Sequence, residues 1–247
     1  MILEFDVGNT RTKWRVLSDV TSPKVVERGV FSSRSLSEDM SEISSLCLSE
    51  HVFRIRLASV ANLAFTQRLI SALESNFSVA VEQVFTASRL AGVTNSYSDP
   101  SKMGVDRWMT IVAAYKRAQG ACCVIDCGTA IKVEMIASDG CHRGGYILPS
   151  VDMMVDSLLS NTAQIANGMT DVSHGDLSLG RNTTDAVVGG ANYLVCALRD
   201  KLFAQVANEG GYPVYVTGGN ATAFLAGADV AEICPDLVFE GLAIAAP

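Results

Sequence analysis

The stretch EFDVGNTRTKWRV, from Glu4 to Val16, places one acid, Asp6, at a Gly/Asn/Thr turn between two apolar runs. Gly8 lets the backbone approach a ligand closely, and successive N–H groups in such a turn can form an anion-binding nest. The polar side chains of the turn and the ammonium group of Lys13 also suit phosphate groups. The stretch therefore predicts a phosphate-binding turn, with an ordinary self-capped hairpin turn as the alternative.

An acid in a phosphate-binding turn requires a cation, because a carboxylate and a phosphate repel each other. Mg²⁺ commonly bridges one or two carboxylates, waters and phosphate oxygens. We therefore expect Asp6 to hold Mg²⁺, directly or through water, while the turn holds the phosphates.

Two further glycine turns strengthen this interpretation. CCVIDCGTAIKVEMI repeats the order strand, Asp, one residue, Gly, polar turn and second strand, with Asp126 in the position of Asp6 and Thr129 in the turn. Two such hairpins could clamp a phosphate chain from both sides. TGGNA follows a short predicted strand, and Gly218 and Gly219 would let an adenine or ribose pack flat against the backbone. Gly-Gly after a strand is by itself usually only a turn, so the order of all three elements carries the prediction.

The stretch SKMGVDRW places Asp106 at the start of a helix predicted over residues 104–119. An Asp in a first helical turn is usually a cap or a dipole partner. The functional interpretation is a carboxylate that orients a substrate hydroxyl and accepts its proton during phosphoryl transfer. The neighbouring Arg107 could bind a substrate carboxylate as a bidentate fork, or form a surface ion pair.

Paired sheets are needed to position these turns. The repeated strand–Asp–turn–strand pattern predicts an α/β protein with two related halves, residues 1–117 and 118–247, each a sheet that begins with a hairpin and is covered by helices. The helix after Gly104 is predicted to be amphipathic. Its apolar face consists of Val105, Trp108, Met109, Val112 and Tyr115.

Composition limits the classes of function. The chain has 247 residues, 49% of them hydrophobic, and a formal net charge of −7, which argues against a general electrostatic grip on nucleic acid. The three histidines are scattered and no CxxC occurs among the seven cysteines, so structural zinc is disfavoured and buried free thiols are expected. No signal peptide or membrane-length apolar run is present, and we expect a cytoplasmic protein without membrane contacts.

Taken together, the motifs resemble those of the type III pantothenate kinases of bacterial coenzyme A synthesis. The resemblance runs along nearly the whole chain. Its motifs are DVGNT at Asp6, GVDRW at Gly104, IDCGTA at Ile125, GGYILP at Gly144, TAQI at Thr162, GRNTTDA at Gly180, VTGGNA at Val216 and DLVFEGL at Asp236.

This resemblance implies a duplicated ribonuclease H-like fold, of the acetate-kinase, sugar-kinase, Hsp70 and actin type, in a homodimer. It implies ATP-dependent phosphorylation of pantothenate to 4′-phosphopantothenate, the first step of coenzyme A biosynthesis. By motif, Asp106 is the base, and Asp126 is the ligand of a monovalent cation, K⁺ or NH₄⁺. Thr183 matches a threonine that lines the pantothenate site across the dimer.

The remaining site residues follow from the turns or from the resemblance. Those assigned to ATP are Asp6, Val7, Gly8, Asn9, Thr10, Arg11, Thr12, Lys13, Thr129, Gly218 and Gly219. Those assigned to pantothenate are Tyr97, Gly104, Val105, Asp106, Arg107 and Thr183.

Four residues depart from the usual family pattern, namely Lys132, Glu134, Ser150 and Asn220. Lys132 adds a positive charge near the predicted cation site, and Glu134 carries its carboxylate one methylene further than the usual aspartate. One alternative is a non-catalytic protein that senses nucleotide or pantothenate on the same scaffold. Another is a kinase or phosphatase of this fold with a different small substrate. The three intact acids favour the kinase.

Overall fold

The computed structural model describes residues 1–18, 23–44, 46, 51–160, 175–228 and 230–247. Internal contacts divide the chain into two compact units, Met1–Ala113 together with Leu237–Pro247, and Ala114–Asp236. This corrects the predicted division into 1–117 and 118–247 in one respect, because the C-terminal segment packs with the first unit.

A five-stranded mixed sheet forms the first unit. Its order is β3-β2-β1-β4-β5, with antiparallel pairing among the first three strands and parallel pairing of β1, β4 and β5. The elements are β1 (Ile2–Val7), β2 (Arg11–Leu17), β3 (Val25–Ser32), α1 (Ser33–Glu38), α2 (Ser41–Ser44), β4 (Arg54–Ser59), α3 (Leu63–Phe77), β5 (Val81–Val84), β6 (Arg89–Leu90), β7 (Val93–Thr94) and α4 (Val105–Ala118), the last of which continues past the division.

The second unit repeats this plan. Its sheet has the order β10-β9-β8-β11-β12, with the same alternation of antiparallel and parallel pairs. The elements are β8 (Cys122–Cys127), β9 (Ala130–Ile136), β10 (His142–Pro149), α5 (Val151–Ser160), α6 (Thr183–Asn208), β11 (Val214–Thr217), α7 (Ala221–Leu225) and β12 (Glu232–Ile233). The last helix, α8 (Leu237–Ala245), returns to β1 and β4 of the first unit.

The first strands of the two sheets have the same burial pattern. Both β1 and β8 are buried except at their fifth residue, which is the acid. Alternate side chains enter a core on one face, such as Leu3 and Phe5 in the first sheet and Cys123 and Ile125 in the second. Since successive side chains of a strand point to opposite faces, each acid lies on the face away from that core.

Helix α8 is attached to the first sheet by buried charges. Glu4 accepts hydrogen bonds from Arg15 Nε at 2.6 Å and from Arg56 Nη1 at 3.0 Å, and the Arg15 guanidinium lies 4.8 Å from the centre of the Phe239 ring. Gly241 allows α8 to approach α4, because a Cβ there would overlap the carbonyl of Met109. These contacts explain why the C-terminal segment belongs to the first unit.

Three details of local structure differ from the sequence analysis. Helix α4 is buried around its circumference from Arg107 to Ala114, so its burial extends beyond the predicted apolar face. Strand β10, which contains the GGYILP motif, was not predicted. Among the described cysteines, four are buried, but Cys141 is exposed; burial raises the pKa of the Cys122 thiol to about 12. Within the described ranges, every helix is too short or too polar to cross a bilayer.

Candidate functional site

The first hairpin turn is held by a residue that the sequence analysis missed, Ser33. Its Oγ donates to the Gly8 carbonyl at 2.8 Å and shares a 2.9 Å hydrogen bond with the Thr12 hydroxyl, and its backbone N–H donates to the Thr10 carbonyl at 3.0 Å. Asn9 and Thr10 remain exposed, whereas the Thr12 side chain is buried. Thr12 therefore fixes the turn through its hydrogen bond with Ser33. The only sequence signal for this role of Ser33 is its position at the start of a helix.

Asp6 lies at the end of β1 that leads into this turn. Its cross-strand partner in β2 is Lys13, and both side chains are partly buried. The turn itself is closed by a 3.0 Å hydrogen bond from Gly8 N to the Arg11 carbonyl. The structure thus brings an acid, a lysine and exposed polar turn residues together at one end of the first sheet.

Asp106 lies at the same end of the sheet. Val60, just after β4, donates its backbone N–H to the Val7 carbonyl at 2.9 Å, and a Cβ built on Gly104 would lie 3.3 Å from Val60 Cγ1. Gly104 precedes Asp106 by two residues. These contacts place the first turn of α4 at the carboxyl ends of β1 and β4, the usual ligand-binding edge of a parallel sheet.

The Asp106 carboxylate folds back over its own helix start. Its Oδ1 accepts the Arg107 backbone N–H at 2.8 Å, and a Cβ on Gly104 would come within 2.6 Å of the same oxygen. A side chain at position 104 would therefore displace the carboxylate. Glycine at position 104 thus leaves space for the carboxylate, a contact that sequence analysis did not predict.

Arg107 and Tyr97, which the resemblance assigned to one substrate, are in contact. Arg107 is only 6% exposed, and its Nη1 donates to the Tyr97 hydroxyl at 2.9 Å. The guanidinium carbon lies 5.6 Å from the centre of the Tyr97 ring. Asn95 holds this loop by accepting the Tyr97 backbone N–H at 2.9 Å. Arg107 is therefore not the surface ion-pair residue that the sequence also allowed.

The second hairpin turn brings three predicted residues together. Asp126 lies opposite Lys132 in the β8–β9 register, and Lys132 Nζ is 2.9 Å from Asp126 Oδ2. Gly218 lies against the same turn with φ at +91°; a Cβ there would overlap Cys127 and come within 2.7 Å of Asp126 Oδ1. Thr129 is exposed beside it.

Asn220 completes this contact, because its backbone N–H donates to the Cys127 carbonyl at 3.0 Å. A cavity of about 40 Å³, lined in part by Gly128, Asn220 and Phe224, lies beneath the turn. A site for one small organic ligand usually measures about 300 Å³ or more. This cavity is therefore too small for a nucleobase.

Thr183 is the first residue of α6 and is exposed. Asn182 caps this helix by accepting the Asp185 backbone N–H at 2.9 Å, and a Cβ on Gly180 would overlap Ala186. Thr183 belongs to the second unit, and its predicted role across a dimer stays a prediction. The TAQI motif at Thr162 lies outside the described residues.

A sequence model of the type III pantothenate kinase family matches residues 2–205. The chain belongs to the type III pantothenate kinase family. Type III pantothenate kinases of Pseudomonas fluorescens (strain SBW25) and Azotobacter vinelandii are 38% and 36% identical to it, over 100% of this chain and 99% of each relative. The family predicted from the motifs is confirmed.

Two solved structures share the fold of this type III pantothenate kinase family member. A 2-dehydro-3-deoxygalactonokinase protein from Sinorhizobium meliloti aligns with a TM-score of 0.59 at 12% identity, over 100% of this chain and 98% of that one. A Baf family transcriptional activator from Campylobacter jejuni aligns with a TM-score of 0.56 at 19% identity, over 97% and 94%. With the repeated strand order, these likenesses confirm the duplicated ribonuclease H-like fold.

Proposed function

We propose that this protein transfers the γ-phosphoryl group of ATP to the primary hydroxyl of pantothenate, giving 4′-phosphopantothenate and ADP at the first step of coenzyme A biosynthesis. Family membership supports the two substrates. The observation that carries the roles is the position of Asp106 beside the Asp6 hairpin, with the Arg107–Tyr97 pair next to it. The proposed setting is the cytoplasm, where ATP is available.

Asp106 is the proposed base. Arg107 N–H fixes one carboxylate oxygen, so the carboxylate is oriented before substrate binds. The pantothenate hydroxyl gives its proton to this carboxylate while its oxygen bonds to the γ-phosphorus and the bond to the ADP oxygen breaks. A carboxylate is a weak base, but a loose phosphoryl-transfer transition state needs mainly positioning.

The Arg107–Tyr97 pair is proposed to bind pantothenate. A buried guanidinium offers a fork of N–H donors that matches a carboxylate, which pantothenate carries. The Tyr97 hydroxyl accepts a hydrogen bond from Arg107 Nη1 at 2.9 Å, which orients the guanidinium group. Gly104 and Val105 would line the same place through the helix start. This arrangement separates the acid that takes the proton from the cation that anchors the substrate.

The first hairpin is proposed to hold the ATP phosphates through residues 6–13. Asp6 fits an Mg²⁺ that arrives with the nucleotide, since Mg²⁺ typically uses one or two protein carboxylates and completes its shell with waters and phosphates. Among the described residues there is no cluster of three or more acidic, histidine or cysteine side chains that could hold a metal ion. When bound, the ion would neutralise charge on the phosphates.

The second hairpin is proposed to contact ATP through Thr129, Gly218 and Gly219. The monovalent cation predicted at Asp126 does not fit the observed groups, because the Lys132 ammonium already lies 2.9 Å from Asp126 Oδ2. No step of the proposed reaction therefore depends on K⁺ or NH₄⁺.

A homodimer, with Thr183 near the partner's pantothenate, is also proposed. Its support is apolar surface on the second unit: helix α5 has no buried residue, and Leu179 is 93% exposed. Tyr193 and Leu194 of α6 are exposed as well. Exposed apolar patches of this kind commonly mark interfaces. Size-exclusion chromatography with light scattering tests the assembly.

A coupled assay of ADP release, with and without pantothenate, tests the proposed activity. We expect ADP release that depends on pantothenate and Mg²⁺, and a product whose mass equals that of pantothenate plus one phosphoryl group. ATP binding without pantothenate-dependent release would contradict the proposal and favour the sensor alternative. Release with another alcohol and not with pantothenate would favour a different substrate.

A further inference from the structure

The second hairpin contains a fixed positive charge next to its acid. Asp126 and Lys132 face each other across β8 and β9, with Nζ 2.9 Å from Oδ2. Their side chains are only 17% and 21% exposed, so solvent and salt screen this pair less than a surface pair. The ion pair is therefore a partly buried structural element of the second hairpin.

Lys132 contacts the Asp126 carboxylate, and the neighbouring acid on β9 contacts a histidine. Glu134, two residues further along β9 on the same face, is buried and lies 3.0 Å from His142 Nε2. The other Asp126 oxygen faces Gly218, whose Cβ would lie 2.7 Å from it. Lys132 and the Gly-Gly turn thus flank the carboxylate on its two oxygens.

A lone carboxylate at a nucleotide turn would repel polyphosphate, whereas an acid paired with an ammonium is neutral overall. An added cation would have to displace the lysine or sit beside a like charge, which is unfavourable at short distance. We propose that the Lys132 ammonium group acts as a tethered monovalent cation at Asp126, so that ATP binding and turnover do not require K⁺ or NH₄⁺. This inference rests on the proposed function, because it assigns the turn to ATP.

The test compares the parent chain with two variants, Lys132→Thr and Lys132→Met. Threonine removes the charge and leaves space for an ion, whereas methionine removes the charge and fills the space. Pantothenate-dependent ADP release is measured with Mg²⁺ and ATP in tetramethylammonium chloride, and again with KCl or NH₄Cl at equal ionic strength. Affinity for a non-hydrolysable ATP analogue is measured in the same salts by calorimetry.

We expect the parent to show the same rate and affinity with and without K⁺. Lys132→Thr should lose about tenfold in analogue affinity, equivalent to about 1.4 kcal/mol, and regain it with K⁺. Lys132→Met should lose affinity without regaining it. A parent protein that needs K⁺ for analogue binding would overturn the inference, and so would a Lys132→Thr variant whose affinity ignores K⁺ or stays unchanged.

The two proposals can fail separately. If pantothenate-dependent release requires K⁺ in the parent, the inference is wrong and the proposed function stands. If no release occurs in any salt, the proposed function fails, and analogue binding still decides the role of Lys132. If the analogue binds in none of the salts, both are wrong. The parent measurements alone are decisive if a variant does not fold.

Discussion

The two sheets of this protein share a plan and differ in their chemistry. Both have the strand order 3-2-1-4-5 and a first hairpin with an acid opposite a lysine, at Asp6–Lys13 and Asp126–Lys132. In the second hairpin Lys132 Nζ lies 2.9 Å from Asp126 Oδ2, and in the first hairpin Ser33 Oγ donates to the Gly8 carbonyl at 2.8 Å. Duplication has thus supplied two scaffolds, while individual side chains decide what each can bind.

The helices that follow the two sheets differ in the same way. Helix α4 follows β7 and carries Asp106 at its second residue, whereas α8 follows β12, packs with the first unit and carries Val238 there. The acid that we propose as the base therefore has no counterpart at the second residue of α8. The proposed roles can therefore be tested by comparing the effects of substitutions in one unit with those of matched substitutions in the other.

The largest expected effect comes from Asp106→Asn. We expect turnover to fall about a thousandfold, because general-base catalysis typically contributes about 10²- to 10⁴-fold. Affinity for ATP should change little. Steady-state kinetics and calorimetry measure the two quantities. Asp139→Asn, at an exposed turn of the second sheet, is the matched control and should behave as the parent. Equal losses in both variants would contradict the role of Asp106.

The buried charges of the two sheets should differ in stability. Glu4→Gln leaves Arg15 and Arg56 buried without their counter-charge, and we expect a loss of about 3–5 kcal/mol in the free energy of unfolding. Glu134→Gln keeps a hydrogen-bonding group against His142, so the loss should be about 1–2 kcal/mol. Urea denaturation measures both. Similar losses would show that the two environments are energetically equivalent.

Gly104→Ala is expected to have a smaller effect, on turnover more than on stability. The added methyl would lie 2.6 Å from Asp106 Oδ1, so the carboxylate must move. A displacement of about 1 Å can lower the rate by about a hundredfold, and we expect a loss of about ten- to a hundredfold in kcat. Gly120→Ala is the control, because its methyl would lie 3.9 Å from the Ala118 carbonyl oxygen, at ordinary van der Waals distance. An unchanged kcat for Gly104→Ala would show that the carboxylate position is not critical.

The smallest expected change is at the Gly-Gly turn of the second unit. Gly218→Ala would place a methyl against Cys127 and Asp126 at a backbone φ of +91° that L-residues rarely adopt. We expect the KM for ATP to rise about tenfold, which corresponds to about 1.4 kcal/mol of binding free energy, with kcat for pantothenate phosphorylation less affected. A fall in kcat with unchanged KM for ATP would instead place Gly218 in the chemical step.

The sequence by itself determined the two hairpins, their acids, most strands and the family. These features are local: apolar alternation, Asp and Gly at a turn, and helix-start residues depend on neighbours a few positions apart. It could not show that Ser33 holds the first turn, that Thr12 is turned into it, or that α8 packs with β1. Each of these depends on residues far apart in the chain.

The tertiary structure alone decided which charges meet. Lys132 could have faced solvent, phosphate or Glu134, and the strand register together with the Glu134–His142 contact gives it to Asp126. Arg107 could have been a surface residue, and the packing of α4 buries it against Tyr97. Sequence fixes the kinds of groups near each turn, whereas the pairing of those groups follows from distance and burial, which only the folded chain defines.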